Sequence, residues 1–334
     1  MTDCLAGVPA PDRDLLDPAK RPEWRAPMTA VLTKKRFSDP GWIYERKLDG
    51  ERALAIRDGG SLRLMTRNRK EIIATYPEFA DALERQSCRR FVVDGEIVAF
   101  EGAVTSFARL QRRMQIADAD EARNSGVAVF YYLFDILYLG GYRLERLPLR
   151  TRKALLKSAL AFPDPLRLTS HRNRNGEAYF EQACEKGWEG IIAKKADSPY
   201  RHARSRDWLK FKCSKGQDLV IGGFTEPFGE RIGFGALLVG YYADGKLRYA
   251  GKVGTGYDDE TLRRLRKRMA RLARDNSPFA DAVKGKDVTW VSPKLVGEFK
   301  LTEWTEGGKL RHPRFLGLRR DKAAKAVVRE APDE

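Results

Sequence analysis

Histidine, cysteine and long apolar runs are scarce in this chain of 334 residues, and each scarcity excludes a class of protein. Only three histidines are present, and neither an HExxH nor a GxSxG motif occurs, which argues against metal or triad chemistry built on histidine. The cysteines contain no CxxC pair, which excludes a zinc ribbon and a dense disulfide scaffold. All four are predicted to be reduced thiols: Cys4, Cys88, Cys184 and Cys213.

A membrane segment and a phosphate-binding glycine loop are also missing. The longest apolar run, Val127 to Leu139, is shorter than the ~18 residues of a spanning helix and contains Asp135, which predicts a buried strand. The first ten residues lack the basic region and apolar core of a secretory signal. No GxxxxGK[ST] occurs, and GKVGTG at residues 251–256 is not GxGxxG. We therefore predict a cytoplasmic protein that does not bind membranes.

Positive charge is abundant and unevenly distributed. Lys and Arg number 63 against 46 Asp and Glu, a formal net charge of +17. Three stretches, 201–216, 261–274 and 309–325, carry +5, +7 and +6 and leave the other 287 residues at −1. Neutralising a phosphate backbone requires basic surface of this kind, and the resulting binding weakens steeply with salt. The concentration of charge favours a nucleic-acid partner over solvated faces.

The most basic stretch has the pattern of an amphipathic helix. Leu262, Leu265, Met269 and Leu272 recur at helical spacing, and Asp258 or Asp259 can cap the first turn. The apolar seam predicts packing on its own domain. The opposite face, which includes Arg264 and Lys267, is predicted to contact nucleic acid, with an anionic membrane or water as the alternatives.

The chain mixes short strands with helices in an α+β pattern. Residues 53–57 and 62–66 flank Asp58-Gly59-Gly60, which predicts a β-hairpin. Helical patterns, which follow no strict βαβ alternation, cover residues 76–85, 107–116, 150–160 and 179–186.

The pattern changes near residues 214–218. Short strands at 219–224, 236–242 and 247–250, together with the basic helix, are typical of a small barrel such as an OB-fold. We predict an N-terminal segment (1–24), a first domain (25–215) and an OB-fold domain (216–334).

A lysine beside carboxylates is the most distinctive chemical feature. Residues 45–52 read ERKLDGER, which sets Lys47 at the end of a predicted strand and just before a turn at Asp49-Gly50. Lysine is a nucleophile only as the free amine, a form that burial and neighbouring cations favour. Taken alone, KxDGxR fits an ordinary surface hairpin equally well.

Further motifs add acids, bases and an aromatic. Glu96 in VVDGE and Glu189 in WEGII each lie beside an apolar strand. In WLKFK, alternation places Lys210 and Lys212 on one strand face. Phe134, beside Asp135, is either a core residue or an aromatic at a cleft that stacks on a base.

These motifs, in this order, resemble those of the covalent nucleotidyltransferases, which comprise ATP-dependent DNA ligases, RNA ligases and mRNA capping enzymes. The resemblance extends from about Pro22 to Lys322 and is greatest to the ligase module of bacterial end-joining DNA ligase D proteins, here in a stand-alone form. It implies a nucleotidyltransferase domain of ATP-grasp-like antiparallel sheets with helices, followed by the OB-fold barrel. Ten segments carry it: ERKLDGER, TRNRKEI, VVDGEIVAF, SFARLQRRM, YYLFDILYLGG, GWEGIIAKK, WLKFK, GFGALLVGYY, YAGKVGTGY and LRHPRFLGLRRDK.

The resemblance also implies a role for each matching residue. Lys47 is the nucleophile that takes AMP from ATP, and Mg²⁺ or Mn²⁺ binds at Glu189. Asp49 either binds the metal through water or orients the amine. Arg67 also contacts the DNA 5′-phosphate. The implied nucleotide-binding residues are Glu45 for the adenine amino group, Phe134 for stacking, Arg52 and Arg67 for ribose and phosphates, Glu96 for the ribose, Lys210 and Lys212 for the α-phosphate, and Arg319, Asp321 and Lys322 for the leaving pyrophosphate.

Two positions depart from the family pattern. Glu51 stands where an aromatic or apolar residue is common, and Arg69 stands where glycine is common. Both departures lie close to expected DNA contacts.

The expected partner is nicked or broken double-stranded DNA, bound by a monomeric, nucleoid-associated ligase. Recruitment by a Ku-type end-binding protein is left open. Two alternatives remain: an RNA ligase or capping guanylyltransferase of the same superfamily, and a non-catalytic nucleic-acid-binding module. FGALLVGYY and RHPRFLGLRRDK favour the DNA branch, and Lys47, Glu189 and Lys212 together argue against the non-catalytic module.

Overall fold

A computed structural model describes residues 3–114, 116–213, 215–229, 232–283, 287–301, 303–305 and 307–330. These residues form two compact units, one that ends at Cys213 and one that follows it. Within the described ranges, no helix is both long and apolar enough to cross a membrane.

The helices agree closely with the sequence patterns. The predicted helices appear within a few residues of their expected bounds, and a short additional helix is capped by Asp118, whose carboxylate accepts from the N–H groups of Asp120 and Glu121. The described helices are α1 (Pro77–Glu84), α2 (Phe107–Met114), α3 (Ala119–Arg123), α4 (Leu149–Ala159) and α5 (Gly176–Glu185) in the first unit, and α6 (Asp259–Ala270) in the second.

The described residues of the first unit form two sheets and a short hairpin. Its strands are β1 (Asp17–Pro18), β2 (Thr29–Leu32), β3 (Trp42–Arg46), β4 (Glu51–Asp58), β5 (Ser61–Thr66), β6 (Arg90–Val98), β7 (Phe100–Glu101), β8 (Val104–Thr105), β9 (Phe130–Leu139), β10 (Tyr142–Arg143), β11 (Leu166–Leu168), β12 (His171–Arg172), β13 (Gly190–Lys195) and β14 (Arg204–Lys212). The larger sheet has the order β1-β10-β9-β6-β4-β5, with β11 parallel to β9. The smaller has the order β12-β3-β13-β14-β2, with β2 parallel to β14. The predicted hairpin is confirmed as β4–β5.

Alternation along the strands separates two cores. Ala53 and Ala55 face the core that α1, α2 and α4 cover, whereas Leu54 and Ile56 face the opposite side of the larger sheet. There they meet Trp208 of the smaller sheet in a second cluster, the inner core. The outer face of the smaller sheet packs against α5. The inner core therefore lies between two sheets, and polar residues of both sheets reach it.

The described residues of the second unit form an antiparallel OB-fold barrel with one α-helix. Its strands are β15 (Lys215–Thr225), β16 (Leu237–Ala243), β17 (Lys246–Val253), β18 (Ala273–Arg274), β19 (Val288–Leu301), β20 (Glu303–Trp304), β21 (Leu310–Arg311) and β22 (Arg314–Arg319). The main sheet has the order β17-β16-β15-β19-β18, and β22 also pairs with β19. The α+β class and the two domain types predicted from the sequence are confirmed.

The basic helix α6 packs as its spacing predicts. Leu262, Leu265 and Met269 are buried in the core of the second unit, and Leu272, beyond the last turn, packs against its edge. Asp258 caps the helix by accepting from the N–H of Thr261 at 2.8 Å. The basic residues therefore lie on the faces of α6 that do not pack against the core.

One prediction about the cysteines is wrong. Cys184 and Cys213, expected to be reduced, form a disulfide, whereas Cys4 and Cys88 remain thiols. Cys184 lies in the last turn of α5 and Cys213 directly follows β14, so the packing of α5 on the smaller sheet brings them together. Their separation of 29 residues gave no sign of this contact because it depends on tertiary packing.

Candidate active site

The predicted lysine lies at the end of three adjacent strands. Ile192 on β13 pairs with Glu45 on β3 and with Lys210 on β14. Beyond this row, the N–H of Lys47 donates to the carbonyl of Gly190 at 2.9 Å, and Gly190 pairs with Lys212. This register brings together residues that are up to 165 positions apart in the chain.

Gly190 is required by this close approach. Its φ is +146°, and a Cβ at this position would lie 1.9 Å from the carbonyl oxygen of Phe211 on the neighbouring strand. Only glycine leaves that space empty. The Glu189-Gly190 pair in the sequence therefore sets a carboxylate directly beside this close approach of β13 to β14.

Lys47, Glu189 and Lys212 form the centre of the site. The Lys47 ammonium donates to Glu189 Oε2, and Lys212 Nζ lies 3.9 Å from Glu189 Oε1. Their side chains are 19%, 17% and 14% exposed, so solutes can still reach them. Burial tends to raise the pKa of Glu189, but the charges of Lys47 and Lys212, with a smaller effect of Lys210, outweigh it and lower that pKa. The carboxylate is thus ionised and bordered by cations.

Arg52 is fixed by an acid that the sequence did not single out. Its Nε and one terminal nitrogen donate to the two oxygens of Asp94 at 2.5 and 2.6 Å. Asp94 is fully buried and also accepts from the Tyr200 hydroxyl at 2.6 Å. Burial opposes the charge on Arg52, yet Asp94 more than compensates and raises the pKa of Arg52. The guanidinium therefore carries a permanent charge in a fixed orientation.

Phe134 belongs to the inner core rather than to an open surface. Its side chain is 7% exposed and packs edge-on to Trp208, with ring centroids 6.1 Å apart. The Arg52 guanidinium lies 4.4 Å from the Phe134 ring centroid and Lys194 Nζ lies 4.2 Å from it. The alternative of an exposed stacking aromatic is therefore not observed in this structure.

Glu45 is buried between two lysines. Oε1 accepts from Lys153 at 2.5 Å and Oε2 accepts from Lys194 at 2.6 Å. Burial tends to raise the pKa of Glu45, but the two ammonium groups outweigh it and lower that pKa. Sequence reasoning missed both lysines, since Lys153 is 108 residues away and no local pattern links them.

The remaining predicted residues of the first unit lie on β6 and in the turns that precede β4 and follow β5. Asp49 follows Lys47 by two residues, and its N–H donates to Thr105 Oγ1 at 3.4 Å. Glu96 on β6 pairs in register with Arg52. Arg67 follows β5, in the turn that leads to α1.

The two departures from the family pattern have local structural explanations. Glu51 is buried and accepts a hydrogen bond from the Tyr76 hydroxyl at 2.8 Å. The polar side chain therefore has a hydrogen-bond partner at a position where the family commonly has an aromatic or apolar residue. Arg69 has a φ of 60°, the left-handed region in which glycine is favoured. Its guanidinium lies 5.8 Å from the Trp24 ring centroid, a contact that glycine would not make.

The predicted C-terminal residues form ion pairs within the second unit. Arg319 donates to both oxygens of Asp321 at 2.9 Å and to Glu298 at 3.3 Å. Lys322 pairs with Asp218.

The faces of α6 outside the apolar seam are strongly positive. Lys267 is exposed and Arg264 is partly exposed. Burial, and then the charges of Arg320 and Arg264, lower the pKa of Arg268, as expected where cations crowd together.

A dedicated protein cage for a metal is not observed. Among the residues that the structure describes, no three His, Cys, Asp or Glu side chains are grouped to hold an ion. Magnesium usually binds through one or two carboxylates plus substrate phosphates. The ionised and accessible Glu189 fits that mode, in which the nucleotide supplies the other ligands.

Two family profiles match the chain. The first, described as ATP dependent DNA ligase domain, covers residues 27–212, and the second, ATP dependent DNA ligase C terminal region, covers residues 230–322.

Curated relatives and a solved structure agree with these profiles. The chain is 38% identical over 320 residues to the multifunctional non-homologous end joining protein LigD of Pseudomonas aeruginosa, covering 93% of this chain and 37% of that protein. It is 33% identical to a DNA ligase of Natronomonas pharaonis, covering 84% of this chain and 52% of the relative. The structure of mycobacterial DNA ligase D complexed with ATP and MES superposes with a TM-score of 0.65 at 34% identity, covering 92% of this chain and 98% of that one.

The chain spans only about two fifths of the length of its LigD relatives. The first profile nevertheless covers more than half of this chain. Together with the two sheets that hold the lysine site, these matches establish that the chain belongs to the ATP-dependent DNA ligase family.

Proposed function

We propose that this chain is an ATP-dependent DNA ligase that seals nicked or broken double-stranded DNA through a lysyl-AMP intermediate on Lys47. The observation that carries the proposal is the contact of Lys47, Glu189 and Lys212 at the end of three neighbouring strands. The relatives named for end joining support broken DNA as the substrate. Recruitment by a Ku-type protein and a monomeric state remain predictions from the sequence.

The proposed reaction has three displacements at phosphorus. In the first, Lys47 Nζ attacks the α-phosphorus of ATP, an N–P bond forms, the bond to pyrophosphate breaks and the amine proton passes to solvent. In the second, a DNA 5′-phosphate oxygen attacks the same phosphorus, the N–P bond breaks and Lys47 regains a proton. In the third, the 3′-hydroxyl attacks the 5′-phosphate, AMP leaves and the hydroxyl proton is released.

Cations of the first unit would stabilise the charge that develops in the first step. Phosphoryl transfer depends mainly on positioning and on positive charge near the phosphate oxygens. Lys212, beside Glu189, and Lys210, on the same strand face, are the α-phosphate ligands that we propose. Glu189 would hold Mg²⁺ or Mn²⁺, with Asp49 as a second candidate ligand, and the bound ion would add charge stabilisation.

The nucleotide would bind along the face of β3, β13 and β14 that carries Glu45 and Lys210, beside Lys47. We propose Glu45 and Phe134 at the purine, Glu96 and Arg52 at the ribose, and Arg67 toward the phosphates. Arg52 and Lys194 lie 4.4 and 4.2 Å from the Phe134 ring centroid, so a purine bound at this ring would lie close to both cations.

The C-terminal cations would act on the leaving group. We propose that Arg319, Asp321 and Lys322 orient pyrophosphate. Arg319 and Lys322 are held by acids of their own unit, so each must exchange a carboxylate for a phosphate when it acts.

A nucleotide screen tests the proposed function. The purified chain is incubated with Mg²⁺ and ATP, GTP or NAD⁺, and its peptides are mapped by mass. We expect an AMP adduct on Lys47 from ATP alone. A GMP adduct would assign the chain to the capping branch, and no adduct from any nucleotide would favour a non-catalytic nucleic-acid-binding module.

The basic faces of α6 predict a salt-sensitive interaction with DNA. Each phosphate contact contributes a slope of about −0.9 to the plot of log K against log salt. Charge removal in Arg264→Ala plus Lys267→Ala is expected to make the slope for nicked duplex shallower by about 1.8, that is, by two contacts. Fluorescence anisotropy at several salt concentrations measures this slope.

Lys246→Ala provides the control for the DNA titration. Lys246 is an exposed cation at the start of β17 in the same unit. Its removal is expected to leave the slope unchanged. If the α6 double variant behaves like Lys246→Ala, the basic residues of α6 face water and the proposed DNA contact is wrong.

A further inference from the structure

Glu45 is held by two lysines from two different elements. Lys153 comes from α4 and Lys194 from β13, and each donates to a different oxygen of the Glu45 carboxylate. All three side chains are at most 5% exposed. The proposed chemistry at Lys47 uses neither lysine.

Both lysines have further contacts that fix their positions. Lys153 Nζ also lies 3.4 Å from the carbonyl oxygen of Phe134 and 3.3 Å from that of Thr169. Lys194 Nζ lies 4.2 Å from the Phe134 ring centroid and 4.1 Å from that of Trp208. The two lysines therefore connect Glu45 to the aromatic side chain at which we propose that the purine binds.

We expect this arrangement to cost stability rather than to add to it. The partly buried pair Arg52–Asp94 and the fully buried pair Arg152–Asp135 each carry no net charge. Two ammonium groups on Glu45 instead leave one positive charge in excess. Removing charges from water costs free energy that pairing recovers only in part. Apolar side chains could fill the same space at a lower cost, so the excess charge points to a functional role.

The protonation state of the Glu45 carboxylate decides which hydrogen bonds it can form. An ionised carboxylate only accepts hydrogen bonds, whereas a protonated one can also donate. The amino group of adenine donates to such an acceptor, but the keto oxygen at the same position of guanine does not. Each Glu45 oxygen keeps a lone pair after its bond to lysine. The carboxylate can therefore discriminate between the two purines only while it is ionised and held in one orientation.

We propose that Lys153 and Lys194 are positioning residues that set the preference for ATP over GTP by keeping Glu45 ionised and oriented toward the purine amino group. This inference rests on the proposed function, in which Glu45 contacts the purine. Neither lysine is proposed to touch the reacting phosphorus.

The test compares covalent transfer from ATP and from GTP to Lys47 in matched variants. Lys194→Met and Lys153→Met remove one charge each at similar length, and Lys194→Arg keeps the charge. Each Met variant is expected to lower the ratio of kcat/KM for ATP to that for GTP by about tenfold, the equivalent of one hydrogen bond. The loss should appear mainly in the KM for ATP, and Lys194→Arg should recover most of it.

The control is Lys195→Met, which removes an exposed charge from the next position of β13. It is expected to leave the ATP to GTP ratio unchanged. If the two lysines had only a structural role, the Met variants would lower transfer from both nucleotides equally. An unchanged ratio in folded Met variants therefore overturns this inference. An AMP adduct on the wild type would still uphold the proposed function. No adduct on the wild type overturns both.

A pH titration of the wild type gives a second readout if the Met variants do not fold. Burial, helped by the charge of Lys153, lowers the pKa of Lys194 to about 8, although the carboxylates of Glu45 and Asp135 oppose this shift. Above that pH Glu45 loses one cation, so the ratio of kcat/KM for ATP to that for GTP is expected to fall. Any effect of pH on the shared transfer step acts on both nucleotides and cancels in the ratio. A ratio that stays constant from about pH 7 to about pH 9 counts against the inference. The charged or titratable groups that face Lys194 are Glu45 on β3, Lys153 on α4, Asp135 on β9, Arg52 on β4 and His171 on β12.

Discussion

Lys47→Ala is expected to lose all covalent AMP incorporation. The residue is a reactant in the proposed first step, so no neighbouring group can replace it. We expect a decrease of at least about 10⁴-fold in ATP-dependent ligation, the scale seen when a nucleophile is removed from a covalent enzyme. Lys47→Arg is expected to be equally inactive, since guanidinium keeps the charge that faces Glu189 but stays protonated. Radiolabelled ATP and a nicked duplex measure both losses.

A pre-adenylated nick separates loss of the nucleophile from loss of the fold. Sealing of that substrate consists of the third displacement alone, in which the 3′-hydroxyl attacks and AMP leaves. The Lys47→Ala variant should therefore seal it at a rate close to that of the wild type. An AMP adduct on the Lys47→Ala chain would contradict the assignment of Lys47 as the nucleophile. A variant that is inactive on both substrates would show that the substitution also damages the fold or the third displacement, and Lys47→Arg would then be tested in its place.

Features that depend on neighbouring residues were predictable from the sequence. The hairpin at Asp58-Gly59-Gly60 and the cap at Asp258 follow from a few consecutive side chains, and both are confirmed. The contact of Lys47 with Glu189 was expected as well, but only because a family resemblance linked motifs that are 142 residues apart. Strand register, not local preference, brings these two side chains together.

The partners that hold the site residues were not predictable. Asp94 and Tyr200 fix Arg52, and Lys153 and Lys194 fix Glu45, yet nothing near these four residues in the chain marks them as partners. A buried charge requires a partner, but the sequence does not say which distant residue supplies it. Phe134 illustrates the same limit. Its apolar strand was consistent with a core residue and with an aromatic at a cleft, and in the structure the ring is buried and contacts the Arg52 guanidinium.

Arg152→Met is expected to cause the largest loss of stability in the first unit. Arg152 and Asp135 are both fully buried, and the guanidinium donates to the two carboxylate oxygens at 2.8 and 3.0 Å. It also donates to the carbonyls of Leu147 and Ser198. Removal of one partner leaves a buried charge uncompensated, which costs about 3–5 kcal/mol of unfolding free energy. Urea unfolding followed by tryptophan fluorescence measures the change, since Trp208 lies in the inner core of the same unit.

Two further variants identify unpaired charge as the cause of that loss. Arg152→Met combined with Asp135→Leu removes both charges and is expected to recover part of the loss, although the carbonyls of Leu147 and Ser198 still lack their donor. Arg123→Met breaks the exposed pair with Asp81 and is expected to leave unfolding within error of the wild type. Equal stabilities for the single and double variants would show that the loss comes from packing and backbone hydrogen bonds. In that case the charges of the Arg152–Asp135 pair would contribute nothing to the free energy of unfolding. The neutral pair could then no longer be compared with the Glu45 cluster to argue that the excess positive charge there costs stability.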